Sequence, residues 1–274
     1  MRPDLNCNFI TNSHTMKLAF IAPLYLVLIF CFAPSVKAQT TQPTYQVKED
    51  SMLLWDKTRN RSIPVEIYLP NTTQIKHPQL VIISHGYNNN REGTYKYYSS
   101  IANCLAAHGY FVASIQHELE TDSLVPSIGK PYVVRMSNWV RGTENILFVI
   151  NDLKKTHKQL DYKHVTLIGH SNGGDMSMLF AHKYPDMIDK VISLDNRRMP
   201  MPVVKHPHIY SLRSSDQPAD EGVIPSPELQ KHMGITIVKL PNTIHNDMAD
   251  NATEAQRKEI NNYLLTFLND ETNN

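Results

Sequence analysis

The sequence predicts an α/β domain: a doubly wound, mostly parallel sheet with an antiparallel hairpin at its N-terminal side. Three observations carry that prediction. First, the runs "QLVIIS" near Leu80, "YFVASI" at Tyr110, "VTLIG" at Val165, "KVISL" at Lys190, "IYSL" at Ile209 and "ITIVKL" at Ile235 are too continuously apolar for half-exposed strands. Strands buried on both faces look like this, and they belong to parallel sheets. Second, helical patterns separate most of these runs, the alternation expected of a doubly wound sheet. Third, "SMLLWD" (Ser51 to Asp56) and "IPVEIYLP" (Ile63 to Pro70) flank the turn-like "KTRN", which reads as a hairpin.

The helices follow from period and punctuation. "YKYYSSIANCLAAHG" ends on Gly109, a C-terminal stop signal. "WVRGTENILFVINDLKKTHK" places Trp139, Ile146, Leu147, Ile150 and Leu153 on a helical repeat, and "EAQRKEINNYLLTFL" closes the chain. Two long connections interrupt the pattern, His117 to Asn138 and Asn196 to Pro207. Connections this long inside a compact domain are usually functional or mobile. Both follow strands whose C-terminal ends share one sheet edge, where such sheets bind ligands. The second is rich in Met and Pro from Met199 to Val204, which suggests either an apolar pocket or simple packing against the sheet edge. No internal repeat and no large inserted cap domain is visible.

Composition narrows the function classes. The 274 residues carry a formal net charge of +1. Without a basic run to neutralise phosphates, nucleic-acid binding is not expected. The one long apolar stretch, "LAFIAPLYLVLIFCFA" from Leu18, follows Met16-Lys17 and ends in small residues at Val36 and Ala38. That is the pattern of a secretory signal peptide cut after Ala38. The run is short for a membrane span and is broken by Pro23. The expected organisation is therefore a leader over 1–38 and a catalytic domain over 39–274, exported to the medium or periplasm. No stable span is expected after cleavage. Cys7 and Cys31 fall in the leader, so Cys104 stands alone and no internal disulfide is expected.

The chemistry is concentrated in "TLIGHSNGGD". Thr166 to Ile168 read as the end of a buried strand, and Asn172 to Ala181 as the start of a helix, so Ser171 sits on the junction. Gly169 and Gly173 flank it at the spacing G-x-S-x-G, which relieves crowding in a strained turn and lifts the hydroxyl clear of the sheet. A serine hydroxyl is a poor nucleophile at neutral pH, so it needs a base and an acid to orient that base. Of 13 histidines, His245 is the best placed, in the loop "NTIHNDM" after the last strand. His206 and His208 precede a strand and belong to the opposite edge. After "IYSL", "RSSDQPADEG" offers Asp216 and Asp220 as the acid. Asp216 comes first after its strand and is preferred; Asp220 lies deeper in the loop, and Asp195 after "VISL" is a third candidate. For an oxyanion, the backbone N–H of Tyr87 in "IISHGYNNN" and that of Asn172 are the expected donors.

Taken together, "SHGYN", "GHSNGG", "SSD" and "IHND" resemble the oxyanion loop, nucleophile, acid and base of the α/β-hydrolase superfamily, in that family's order, from about Ser51 to the C-terminus. Within it the chain looks most like the branch of chlorophyllase-like, platelet-activating-factor acetylhydrolase-like and cutinase-like enzymes. Arg141 and Glu144 are similar to an Arg/Asp pair that opens the equivalent helix there, with Glu in place of Asp. The resemblance implies a serine hydrolase acting on a small-molecule or lipid-like ester, with no cofactor and no metal. A peptidase or an acyltransferase would use the same triad. A non-catalytic binding protein on the same fold is the rival from another class, since fold alone does not prove activity.

Overall fold

The computed structural model describes residues 44–270. The leader, its cleavage site, Cys7 and Cys31 lie outside the described residues. In chain order the elements are β1 (Val47–Asp56), β2 (Arg61–Pro70), β3 (Gln79–Ser84), α1 (Ser99–Ala107), β4 (Phe111–Ile115), α2 (Pro131–Val134), α3 (Met136–Thr156), β5 (Asp161–His170), α4 (Asn172–Lys183), β6 (Lys190–Leu194), β7 (His208–Arg213), α5 (Pro227–Met233), β8 (Thr236–Lys239) and α6 (Glu254–Leu268). All eight strands join one sheet in the order β1-β2-β4-β3-β5-β6-β7-β8. β1 and β2 are antiparallel, β2 meets β4 antiparallel, and every later pairing is parallel.

Both faces of the sheet are covered, which is why its strands are apolar throughout. Leu80, Ile82, Val165 and Leu167 face α3 and α4 through Trp139, Ile146, Ile150, Met176 and Phe180. Val81, Ile83, Ile168 and Ile192 face α1 and α6 through Leu105, Ile260 and Leu264. Gly109 ends the α1 segment in the left-handed region, at φ 100°, where a glycine costs nothing. α6 begins with a capping box between Thr253 and Gln256. Cys104 is half-buried beside His108.

The connection from His117 to Asn138 contains the short α2 and runs directly into α3. Between β6 and β7 the chain is an irregular loop. Met199 and Met201 on that loop are buried and belong to the core beside Met178 and Phe180, so they pack the sheet edge rather than line a pocket. Arg141 and Glu144 do not pair with each other: Arg141 lies 3.5 Å from Asp122, and Glu144 lies 3.3 Å from Arg59. Among the described residues no helix is long and apolar enough to cross a membrane.

The parallel register brings the strand ends into line. Ser84 pairs with Gly169, His170 with Leu194, Leu194 with Leu212, and Arg213 with Lys239. The C-terminal ends of five neighbouring strands therefore reach one edge together.

Candidate active site

Ser171 is the single residue between β5 and α4, with φ 52° and ψ −116°. Such a backbone is costly for any residue with a side chain and persists only where the surroundings enforce it. They do so here through close packing. A Cβ on Gly169 would lie 2.3 Å from the Gly173 carbonyl oxygen, and one on Gly173 would lie 2.2 Å from that of Ser84. The elbow can therefore sink onto β3 only with glycine at both places. Ser171 N–H is held by the Leu194 carbonyl at 2.9 Å, which ties the elbow to the end of β6.

His245 Nε2 stands 2.9 Å from Ser171 Oγ. Its Nδ1 donates to Asp195 Oδ2 at 2.6 Å. The expected partnership with Asp216 is therefore corrected. Asp216 does touch His245, but Oδ1 accepts the backbone N–H at 2.7 Å and leaves the ring alone. Strand order explains the difference. Asp195 follows the last residue of β6, the strand hydrogen-bonded to β5, while Asp216 lies on the next strand out and three residues past its end. Asp220 makes no hydrogen bond to His245; its N–H bonds the Arg197 carbonyl.

Asp195 is fully buried and lies in the left-handed region, φ 63°. Arg213 pairs with Oδ1 at 2.9 Å, and Ser214 donates its N–H to Oδ1 and its hydroxyl to Oδ2, at 3.1 and 2.6 Å. Burial alone pushes the carboxyl up. The His245 hydrogen bond, the Arg213 charge and Ser214 outweigh it and hold Asp195 below the usual carboxylate range. It is an anion fixed in one orientation.

The backbone N–H groups of Tyr87 and Asn172 have no acceptor among the described residues. Asn172 is the first residue of α4, so its N–H has no partner within the helix. The Tyr87 N–H belongs to the peptide whose carbonyl, Gly86 O, is held by His85 Nδ1 at 2.8 Å. In a trans peptide C=O and N–H point oppositely, so this bond fixes the N–H direction. A Cβ on Gly86 would lie 3.4 Å from Ser171 Cβ, which brings this loop beside the serine.

Sequence reasoning missed the supports beneath these parts. Tyr98 Oη accepts the Gly86 N–H at 3.0 Å and lies 2.7 Å from His170 Nδ1. His170 Nε2 donates to the His245 carbonyl at 2.9 Å. Burial, with the nearby His245 charge, lowers His170 to about 3, so the ring is neutral and can accept from Tyr98 at one nitrogen while donating at the other. On the other side, buried Glu118 accepts from Asn138 and Asn172 at 3.0 and 3.1 Å. Asn172 Oδ1 in turn receives the Trp139 indole N–H at 2.8 Å. The one sequence signal for these residues is position: His117 and Glu118 follow the C-terminal end of β4, at the same sheet edge.

A cavity of about 240 Å³ lies over the Gly86–Tyr87 loop, bounded by Tyr87, Tyr97, Tyr98, His170 and Asn246. At the opposite edge, Asp189, His206 and His208 place one ligand atom each within 4.8 Å of one another, an arrangement that could hold a metal ion. Lys190 already pairs with Asp189 there at 2.9 Å, and the cluster lies at the starts of β6 and β7, away from the serine.

Comparison with known proteins matches residues 79–265 to the model of the alpha/beta hydrolase fold family. The chain belongs to the α/β-hydrolase family. Among curated relatives of this α/β-hydrolase, ethanol acetyltransferase 1 of Eremothecium cymbalariae is 32% identical over 107 residues, covering 37% of this chain and 28% of that protein. A probable serine hydrolase of Drosophila melanogaster is 23% identical over 165 residues, covering 60% and 43%. The chain thus spans less than half the length of either. Among solved structures, an esterase of Rhizomucor miehei superimposes with a TM-score of 0.59 at 10% identity, covering 82% of this chain and 84% of the other. A bacterial heroin esterase superimposes with a TM-score of 0.56 at 14% identity, covering 82% and 85%. At these identities the likeness is one of fold.

Proposed function

We propose that this α/β-hydrolase is an exported serine hydrolase that cleaves carboxylic esters through an acyl-enzyme on Ser171. The observation that carries the reading is the line Ser171–His245–Asp195, with spacings of 2.9 and 2.6 Å, facing two unpaired backbone N–H groups. Ser171 Oγ attacks the ester carbonyl carbon while His245 Nε2 takes its proton. Asp195 holds the imidazole orientation and balances the charge it gains. The Tyr87 and Asn172 N–H groups receive the carbonyl oxygen as it becomes an oxyanion; losing one such donor typically costs about 3–4 kcal/mol. The imidazolium then protonates the leaving alcohol. Water, deprotonated by the same His245, attacks the acyl carbon, and the proton returns to Ser171 as the acid departs.

The test is a fluorophosphonate probe with intact-mass analysis. It should label Ser171, and Ser171→Ala should lose both labelling and hydrolysis of p-nitrophenyl esters. Full labelling of the alanine variant would remove Ser171 from the mechanism. The substrate is a small-molecule or lipid-like ester. Export rests on the leader pattern ending at Ala38; the secreted or periplasmic protein should begin near Gln39, and a functional mature form starting at Met1 or Met16 would end that reading.

Acyl transfer is the second reading, favoured by the partial identity to an ethanol acetyltransferase. An alcohol would take the place of water at the acyl-enzyme. Adding ethanol to a p-nitrophenyl acetate assay should then convert part of the product to ethyl acetate; free acetate alone would leave hydrolysis as the activity.

A further inference from the structure

Two arginines near the first turn of α4 lack partners that their neighbours have. Arg213 is paired with Asp195, and Arg197 is bonded to Gln217 and the Pro218 carbonyl. Arg135 and Arg198 are both half-buried, and neither guanidinium has a hydrogen bond or an ion pair among the described residues. Arg198 Nε is fully buried with nothing to receive its proton. Burial comes first among the influences that weaken Arg135's grip on its proton, and the positive charge of Arg198 second; the two cations are close enough to repel.

The charge of Asp175 reaches both, but one carboxylate cannot balance two cations. Asp175 Oδ1 is taken by three backbone N–H groups, those of Arg197, Arg198 and Met199, at 3.2, 2.9 and 2.9 Å. It anchors the loop that carries Arg198 and makes no ion pair with either guanidinium. Both arginines are nonetheless tied to the catalytic helix. Asp175 N–H bonds the Ser171 carbonyl at 3.0 Å, one turn into α4. Arg135 immediately precedes α3, one turn before the Trp139 that grips Asn172, and Tyr87 of the oxyanion loop lies within its electrostatic reach.

Two half-buried cations within electrostatic range of each other share the single negative charge of Asp175 and form a direct ion pair with no carboxylate, so a ligand bringing a second negative charge would balance them. Guanidinium groups offer forked donors suited to carboxylate and phosphate oxygens. We infer that Arg135 and Arg198 form a clamp for an anionic group on the substrate, so that the preferred ester carries a carboxylate or phosphate on one of its two arms. This deepens the proposed ester hydrolysis and rests on it for the identity of the scissile bond, but not for the binding of the anion.

The kinetic test compares mono(4-nitrophenyl) glutarate with neutral 4-nitrophenyl pentanoate. The ratio of kcat/KM values should favour the half-ester by at least about tenfold, the worth of one charge-assisted hydrogen bond. It should fall close to one in Arg135→Gln and Arg198→Gln. Using a ratio cancels any general loss of active sites in the variants. Dibutyroyl phosphatidic acid against its neutral diacylglycerol asks whether phosphate on a lipid is preferred to a soluble carboxylate; a preference for either anionic substrate that both substitutions abolish supports the clamp. A ratio near one in the wild type, or one that neither substitution changes, overturns it.

A second measurement needs no turnover. Inorganic phosphate should raise the Tm of the wild type and of Ser171→Ala, but not of the Arg135→Gln, Arg198→Gln double variant. Equal shifts in all three, or none in any, would overturn the clamp. Were no ester hydrolysed while phosphate still bound through the pair, the esterase reading would fail and the anion site would stand.

Discussion

Asp216 grips His245 by its main chain, Oδ1 to N–H at 2.7 Å, while Asp195 grips the same residue by its ring at 2.6 Å. The two aspartates thus do separable jobs, one placing the loop and the other orienting the imidazole. Asp195→Asn should leave the fold intact and lower turnover by up to about 10⁴-fold, through loss of the charge and the wrong tautomer. Asp216→Asn keeps an oxygen acceptor for the amide and should retain most of its activity. Steady-state kinetics with thermal melts of both variants decide the matter. A dead Asp216→Asn beside an active Asp195→Asn would reverse the assignment.

Gly173 should resist the smallest enlargement. Alanine is favoured over glycine in a helix by about 1 kcal/mol, yet the new methyl would meet the Ser84 and His85 carbonyl oxygens at 2.2 and 2.5 Å. Backbone atoms of a central strand cannot step aside, so overpacking should prevail at about 1–3 kcal/mol. Gly222, with φ 77° and open space around it, should lose about 1–2 kcal/mol on the same change, from backbone strain alone. Urea midpoints report stability. Activity should separate the two, falling only in Gly173→Ala; a fully stable, fully active Gly173→Ala would refute the packing argument.

Tyr98→Phe should damage rate more than binding. The hydroxyl serves Gly86 N–H and His170 Nδ1 at once, and both would be left buried without it. Each unsatisfied group costs about 1–3 kcal/mol, felt in the Gly86–Tyr87 peptide that receives the oxyanion. The expected signature is a fall in kcat for p-nitrophenyl esters with KM little changed. A rise in KM with kcat intact would assign Tyr98 to substrate contact instead.

Asp175 gives stability an unusual pH slope. Burial leads the influences on it and raises the carboxyl to about 6, despite three backbone hydrogen bonds. Between the unfolded value near 4 and that raised value, the folded state keeps a proton that the unfolded chain has released. Linkage then makes this group's contribution fall as pH rises through that window. Asp195, held low, acts in the opposite sense: its stabilisation is lost as pH falls through its folded value. Tm measured from pH 4 to 7 should therefore drop less steeply, or climb more, in Asp175→Asn than in the wild type. Parallel curves would show that Asp175 does not titrate in this range.

The strands, the serine elbow and the place of His245 beside it were legible because each is written locally. Continuous apolar runs mark strands covered on both faces, the flanking glycines mark the tight elbow, and His245 follows the last strand at once. The aspartate that bonds the His245 ring was not, because its place depends on lateral neighbours. β6 lies against β5, and Ser171 N–H bonds Leu194 O, so the residue after Leu194 arrives beside the site; nothing within "VISLDN" announces that adjacency. Glu118 and Asn138 were hidden for another reason. Polar residues in a Pro- and Gly-containing connection look solvated, yet Glu118 beyond β4 and Asn138 in the first turn of α3 are both buried against Asn172. α5 escaped notice because seven residues with no buried side chain carry no readable period.

The proposed base comes from the far side of an exposed turn at Glu221–Gly222, which α5, β8, the His245 loop and α6 follow. Ser171, Asp195, Tyr87 and Asn172, the other members of the proposed machinery, precede it. Cut there, the chain would become a two-part reporter: one fragment bearing every reacting group except the imidazole, the other able to restore it only by docking β8 against β7. Light from a fluorogenic ester would then count reunions of the two pieces.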